Sequence, residues 1–263
     1  MDYLKTILLG LVQGIAEFLP ISSSGHLAIL NRLMATEMET VELNVALHFG
    51  TLMSILVVFR KDWPQILRNR RICLAVIVAT LPLVLVGPFV KKLVEDVSTS
   101  PLWAGCGLLV TSVLLFLIPK VEQEQQPLET ISLRSALTVG LFQVIAPLPG
   151  VSRSGTTIFG GLLSGLNRDA AARFSFLIAI PAILGAVVLK AKDMYETGGE
   201  GTPVGPLVVG TLVAFLVGVA SLKWLLKMIS SRKLIFFAWY CLIVGAATIL
   251  WQLLLPEAAP LPS

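Results

Sequence analysis

Two short stretches of the chain hold side chains able to do chemistry. Glu17-Phe-Leu-Pro-Ile-Ser-Ser-Ser-Gly-His26 gathers a carboxylate, three hydroxyls, a glycine and an imidazole, and Pro149-Gly-Val-Ser-Arg-Ser-Gly-Thr-Thr157 sets an arginine between two serines. A guanidinium offers phosphoryl oxygens a two-pronged fork and keeps its charge when buried. It also stabilises charge spread over the equatorial oxygens of a phosphoryl group in transfer. Arg153 among Ser152, Ser154, Gly155, Thr156 and Thr157 therefore looks built for phosphate. In the first stretch, Glu17 could bind a divalent cation or act as a base. His26 could protonate a leaving group or activate a nucleophile, and Ser23 could be that nucleophile or only hold phosphate. Ser22 and Ser24 add hydroxyls, and Gly25 and Gly155 let backbone come close. Helices starting after each stretch would aim N–H groups at an anion.

The setting makes these groups unusual. Of 263 residues, 56% are hydrophobic and 14% charged, with a mean hydropathy of +0.86, whereas a soluble domain carries roughly 25% charged residues. Apolar runs near the ~20 residues of a spanning helix recur along the chain, so the class is an all-α polytopic membrane protein. The N-terminus lacks a basic n-region and an A-x-A site and is not expected to be a cleaved signal. Cys73, Cys106 and Cys241 stand singly in apolar segments, without ligand spacing, and read as packing residues. A net charge of +4 and a pI near 9.1 fit cytoplasmic loops better than a nucleic-acid partner.

Six segments are expected to span, at about 41–59, 72–90, 101–119, 170–190, 204–226 and 234–254. Two more apolar regions are interrupted. Region 4–35 breaks at Pro20 and the serines, and region 134–165 at Pro147, Pro149, Gly150 and Gly155. Their halves are too short to cross a bilayer at ~1.5 Å per residue. Broken helices at membrane depth are tolerated only inside protein or beside a wet cavity, so both regions read as re-entrant helix–loop–helix hairpins.

The hairpins are copies. At an offset of 130, residues 10–26 and 140–156 are identical at eight of seventeen positions, namely Gly10, Leu11, Gln13, Ile15, Ala16, Ser22, Ser24, Gly25 and their mates. The same offset maps the three spans after the first hairpin onto those after the second. The chain is thus expected to be one integral membrane domain, 1–263, made of repeats at about 1–120 and 131–255. Three spans is an odd number, so the second copy should lie inverted. With loops 60–71, 120–134, 166–173 and 223–233 inside, 13 Lys/Arg face the cytoplasm, as the positive-inside rule asks. Six stay outside (Lys5, Arg32, Lys91, Lys92, Lys190 and Lys192), although acidic residues outnumber basic ones in loop 120–134. The hairpins then dip in from opposite faces and their tips meet near the midplane, the place for a ligand in such inverted repeats.

Plainer readings stand beside these. Serine and glycine in membrane helices often serve packing, His48 reads as a satisfied polar group, and Gln13 and Gln143 as caps on freed backbone groups. Arg60, Lys61, Arg68, Arg70 and Arg71 read as a cytoplasmic rim, with anionic lipid contact as the alternative.

QGIAEFLPISSSGH and PGVSRSG resemble the two signature motifs of the bacterial undecaprenyl-diphosphatase family, also called bacitracin-resistance proteins, and the resemblance covers essentially the whole chain. It implies hydrolysis of undecaprenyl diphosphate to undecaprenyl phosphate and inorganic phosphate, which recycles the lipid carrier for peptidoglycan and confers bacitracin resistance when the enzyme is abundant. It also implies a site opening to the outer face of the bacterial cytoplasmic membrane and a divalent cation, Mg²⁺ or Ca²⁺. The family's acid, serine and histidine fall on Glu17, Ser23 and His26, and the serine and arginine of its second motif on Ser152 and Arg153. Many relatives carry a second glutamate four residues before the first. Here that residue is Gln13, which can offer a cation a neutral carbonyl beside Glu17 but cannot be a base. The expected partners are the lipid substrate and membrane lipids, with a homodimer as one admissible assembly. The rival class is a lipid transporter, since inverted repeats also suit alternating access. Against it stands the asymmetry of the copies, where Glu17 and His26 face Pro147 and Thr156, and Ser23 faces Arg153. A non-catalytic lipid-binding scaffold poorly explains Glu17, His26 and Arg153 together.

Overall fold

A computed structural model describes residues 3–34, 40–121, 126–197 and 201–254. Among them there is no strand, and the helices follow as α1 (Tyr3–Ala16), α2 (Ser23–Leu33), α3 (Val41–Val58), α4 (Trp63–Arg68), α5 (Arg70–Ser98), α6 (Pro101–Val121), α7 (Leu133–Gln143), α8 (Arg153–Leu163), α9 (Arg168–Thr197), α10 (Val204–Ser230) and α11 (Ile235–Leu254). Six of them, α3, α5, α6, α9, α10 and α11, are long and apolar enough to cross a membrane. These are the six expected spans. Helices α5 and α9 run past their expected ends at 90 and 190, because their polar tails remain good helix formers. The pairs Lys91–Glu95 and Lys192–Glu196, both at 3.6 Å and four residues apart, brace the extensions, and Lys91 reaches Asp193 at 3.4 Å.

Helices pack where small residues let backbones approach. In the buried stripe Gly210, Ala214 and Gly218 of α10, α1 fits through Gly10 and Gly14 and α3 through Gly50, and a Cβ on Gly50 would lie 2.5 Å from Thr211 O. On the other side α7 sets Gly140 against Ala79 of α5, while α6 and α11 cross at Gly105 and Gly245. Membrane helices associate by such close van der Waals contact, since lipid gives apolar side chains no reason to leave it. By the offset of 130, α7 is the counterpart of α1, and α5 that of α10. Helix α1 of the N-terminal half thus packs on α10 of the C-terminal half, and α7 of the C-terminal half on α5 of the N-terminal half.

Loop contacts sort the chain ends into two groups. Asp62 pairs with Arg173 at 2.8 Å, Asn69 donates to Glu129 O at 3.1 Å, and Gln126 N donates to Gly165 O at 3.0 Å. Three of the four basic loops therefore lie together, although residues 122–125 fall outside the described residues. A second group joins Thr202 to Thr40 at 2.9 Å, Lys190 to Asn44, and Tyr3 to the backbone at Gly205.

The interrupted regions are helix pairs, α1–α2 broken at 17–22 and α7–α8 broken at 144–152. The ends of the second pair meet, with Ser135 Oγ donating to Ser164 O at 3.3 Å. Its turn is pressed into α6. Gly150 has φ +82°, a left-handed conformation that suits glycine, and a Cβ there would fall 1.9 Å from Ala104 O. Thr111 of α6 clasps the turn by donating to Gly150 O at 3.0 Å and accepting from Ser152 N at 2.9 Å.

A methyl group on Gly107 would sit 2.1 Å from Pro149 O, so Gly107→Ala is expected to destabilise the protein by about 1–3 kcal/mol. Gly185→Ala, with nothing within 4 Å of the added carbon, should leave thermal unfolding in detergent unchanged or slightly raised. Equal midpoints for the two variants would refute the close packing of the second turn on α6.

Candidate active site

Each break ends in the same cap. Ser22 Oγ accepts from Gly25 N at 3.3 Å and Ser152 Oγ from Gly155 N at 3.1 Å, and each capping hydroxyl lies 3.2 Å from the serine hydroxyl two residues on. The caps satisfy one N–H at each helix start. They differ in backbone, because Ser152 is extended while Ser22 has φ +67°, a conformation rare for a residue with a Cβ. Tip meets tip across the repeats. A Cβ on Gly25 would lie 2.7 Å from Gly150 Cα, and one on Gly155 would lie 3.3 Å from Pro20. Phe18 anchors the first break. It is fully buried, edge-on to Phe176 of α9 at 5.9 Å, and against Gly218 of α10.

Between the tips lies an ion pair. Arg153 Nη2 donates to Glu17 Oε1 at 2.7 Å, with the side chains 14% and 9% exposed, and Arg153 Nη1 reaches Ser175 O at 3.4 Å. The other carboxylate oxygen, Oε2, accepts from Ser23 Oγ and Gln13 Nε2, both at 3.1 Å, and His48 Nε2 stands 4.0 Å from it. His48 Nδ1 lies 2.9 Å from Asn44 O. A carbonyl can only accept, so Nδ1 carries the hydrogen, and in the neutral ring Nε2 presents its lone pair toward the carboxylate side.

Glu17, Ser23, His48 and Arg153 line a cavity of about 270 Å³, the space of on the order of nine waters. Its polar lining comprises Glu17, Ser22, Ser23, Ser24, His48, Gln143, Ser152 and Arg153. Its apolar lining comes from Ala16, Ala146, Pro147 and Val151 beside the breaks, and from Leu83 of α5 and Ala182, Ile183 and Ala186 of α9, next to the in-helix prolines Pro82 and Pro181.

Several expected site residues lie elsewhere. His26 does not reach Ser23. Its Nδ1 turns back onto Ser22 O at 2.8 Å, and its Nε2 meets the Tyr240 hydroxyl at 2.7 Å, with the rings stacked at 5.6 Å. On a helix, side chains lean toward the preceding turn, which carries this imidazole away from the cavity toward α11. Thr156 is buried, and its hydroxyl donates to Arg153 O at 3.0 Å, the usual back-bond of a mid-helix threonine. Ser154 Oγ is spent on Ser152, while Gly25 and Gly155 serve the tip contact and their N–H groups are taken by the caps.

The sequence has known relatives. The family model of the bacitracin resistance protein BacA matches residues 6–247. The chain belongs to the BacA family. It is 45% identical over 254 residues to an undecaprenyl-diphosphatase of Rhodopirellula baltica, an alignment covering 96% of this chain and 99% of that protein. It is 40% identical to an undecaprenyl-diphosphatase of Alkaliphilus metalliredigens, covering 97% and 100%, and 39% identical to one of Halothermothrix orenii, covering 95% and 98%.

In this BacA-family chain, His48 is the site residue that sequence reasoning set aside. The available signal was an ionisable side chain well inside a span whose other ionisable residue, Glu42, lies in the first turn, and such a group is rare at membrane depth. Thr111, Ser175 and Tyr240, which hold the second turn, Arg153 and His26 in turn, carry no signal in sequence. For a divalent cation, the described residues hold no group of three or more His, Cys, Asp or Glu. Glu17 and the buried, unpartnered Gln13 Oε1 do fit one. Mg²⁺ typically takes one or two protein oxygens and fills its shell with substrate phosphates and water. The Gln13 amide now turns its nitrogen to Glu17, so sharing an ion requires it to flip.

Removing one member of a buried ion pair leaves an uncompensated charge and costs about 3–5 kcal/mol. Glu17→Gln should therefore lower unfolding stability in detergent by that order. Arg153→Met in the Glu17→Gln background should recover part of the loss. If the second substitution only adds to the first, the pair does not hold the two breaks together.

Proposed function

We propose that the protein is an undecaprenyl-diphosphate phosphatase, releasing inorganic phosphate and leaving undecaprenyl phosphate. The observation that carries this reading is the cavity itself, where Glu17, Ser23 and Arg153 meet and apolar side chains of α5 and α9 share the lining. The polar lining suits a diphosphate. The apolar lining leads the prenyl chain outward past α5 and α9, because so small a space cannot hold dozens of carbons.

Arg153 binds the terminal phosphate with the guanidinium N–H groups that Glu17 and Ser175 leave free. Ser152 and the other cavity serines complete the polar lining. Ser23 Oγ already donates to Glu17 Oε2, so Glu17 is placed to take a proton from Ser23 or from a water in its stead. If serine attacks, Oγ bonds to the terminal phosphorus as the bridging P–O bond breaks. Undecaprenyl phosphate leaves with the bridging oxygen, and water then splits the phosphoserine. If water attacks, inorganic phosphate forms in one step. His48, with Nδ1–H tied to Asn44 O, supplies a second proton site beside Glu17. His26 positions the Ser22 turn through its carbonyl. The negative charge of Glu17 opposes an incoming diphosphate that Arg153 alone cannot neutralise. A bound Mg²⁺ or Ca²⁺ supplies the missing positive charge, with Glu17 and Gln13 as the residues that would hold it.

Placement in the bacterial cytoplasmic membrane completes the reading. The helix pairs α1–α2 and α7–α8 are re-entrant and enter from opposite faces as inverted repeats. The basic-loop group marks the cytoplasm, and the site opens to the outer face, where carrier lipid is recycled for peptidoglycan. Bacitracin resistance at high abundance follows from removal of the diphosphate.

Phosphate release from undecaprenyl diphosphate by purified protein in detergent is expected to require a divalent cation and to stop with EDTA. Arg153→Ala and Glu17→Gln should each lower kcat/KM by roughly 10²–10⁴-fold. Silence of a folded wild type supplied with metal and lipid would sink the phosphatase reading and favour the transporter. The role of His26 is tested separately. His26→Ala and Tyr240→Phe should reduce activity less than Glu17→Gln, and a His26→Ala loss as deep as that of Glu17→Gln would return the imidazole to the chemistry. Labelled phosphate trapped on Ser23 by rapid quench is the outcome that selects the serine route over direct water attack.

A further inference from the structure

Gln143 is the pseudo-symmetric counterpart of Gln13, offset by 130 residues on α7. Both are wholly buried. Gln13 donates Nε2–H to the carboxylate of Glu17, four residues on, at 3.1 Å. The matching position after Gln143 is Pro147, which has no acceptor side chain. Gln143 Nε2 and Oε1 are accordingly both without a hydrogen-bond partner, although the residue lines the cavity together with Pro147, Ser152 and Arg153. A buried amide lacking partners is costly and rare, and calls for an explanation. Here the first repeat supplies one, because it shows what the amide takes when an anionic oxygen is at hand.

We infer that Gln143 is a substrate-binding residue whose Nε2–H donates to a phosphoryl oxygen of the bound head group, in the place that the Glu17 carboxylate fills for Gln13. This rests on the phosphatase reading above and adds to it a second, neutral recognition group beside Arg153. The amide carries no charge, so it holds the phosphate without lowering the attraction of Arg153 for it. The broad terminal torsion of glutamine lets the amide swing to the cavity wall at little cost.

Two variants test the contact. Gln143→Leu removes the donor at similar volume, and Gln143→Glu keeps the shape but presents a carboxylate to phosphate. The expected result for Gln143→Leu is a KM for undecaprenyl diphosphate raised about tenfold or more with kcat changed little, the signature of lost binding that is equal in ground and transition states. Gln143→Glu should raise KM further. The unliganded Gln143→Leu protein should melt at or above the wild-type temperature, since an unsatisfied buried amide is gone. The stabilisation of wild type by methylenediphosphonate with Mg²⁺, a diphosphate that cannot be hydrolysed, should shrink in this variant. An unchanged KM in Gln143→Leu, whatever its melting temperature, overturns the inference and leaves the phosphatase reading intact. If the wild type releases no phosphate, that reading fails. The methylenediphosphonate shift then decides alone, and equal shifts in wild type and Gln143→Leu overturn the contact.

Discussion

The buried pair of Glu17 and Arg153 joins residues 136 positions apart, and most of the structure is arranged so that it can exist. Desolvating two charges costs more than a simple contact returns unless the remaining lone pairs and N–H groups are also met. Here they are. Ser23 and Gln13 donate to one carboxylate oxygen while Arg153 takes the other, and Ser175 O receives part of the guanidinium. A hydrolytic site needs these groups at close range but not fully spent. The hydroxyl of Ser23 and the free edge of Arg153 remain on the cavity side, which distinguishes this cluster from a merely structural salt bridge.

Such a pair can form only if two chain breaks touch, and that demand explains the small residues. Gly25 against Gly150, Gly155 against Pro20, and Gly107 beneath Pro149 all leave no room for a Cβ of ordinary contact distance. The longer-range packing repeats the theme, since the stripe Gly210, Ala214 and Gly218 brings α1 close enough to deliver Glu17. Small residues thus do two jobs at different ranges. Along the helices they replace the hydrophobic drive that lipid removes. At the breaks they let backbones meet so that the side chains between them can.

Much of this was legible in the sequence. Six apolar runs, two interruptions and an exact spacing of 130 residues fixed where helices begin, and α2 and α8 are each 11 residues long at that offset. Glu17, Ser23 and Arg153 could be grouped because polar side chains at membrane depth are expensive and the breaks were expected to face one another. What could not be read was direction. A linear pattern places His26 three residues after Ser23 but cannot say that its ring turns to Tyr240, 214 residues away. Nor could it bring His48 beside Glu17, because that proximity depends on how α3 lies against α1 and α10. The polar tails of α5 and α9 were underestimated for a related reason: hydropathy marks where apolar character stops, not where a helix does.

The two matching breaks show how similar backbone frames hold an asymmetric site. Both keep the capping serine, the serine two residues on and the glycine, which are the parts that build a helix start. They differ at the positions around that frame, where Glu17 is matched by Pro147, Ser23 by Arg153 and His26 by Thr156. A carboxylate in both copies would set two like charges in one small cavity, and an arginine in both would bind anions without activating anything. Dividing the roles puts one negative and one positive group in contact, and leaves one amide of the matched glutamines paired and the other waiting. The matching caps position the backbone at both breaks, and the differences between them supply the chemistry.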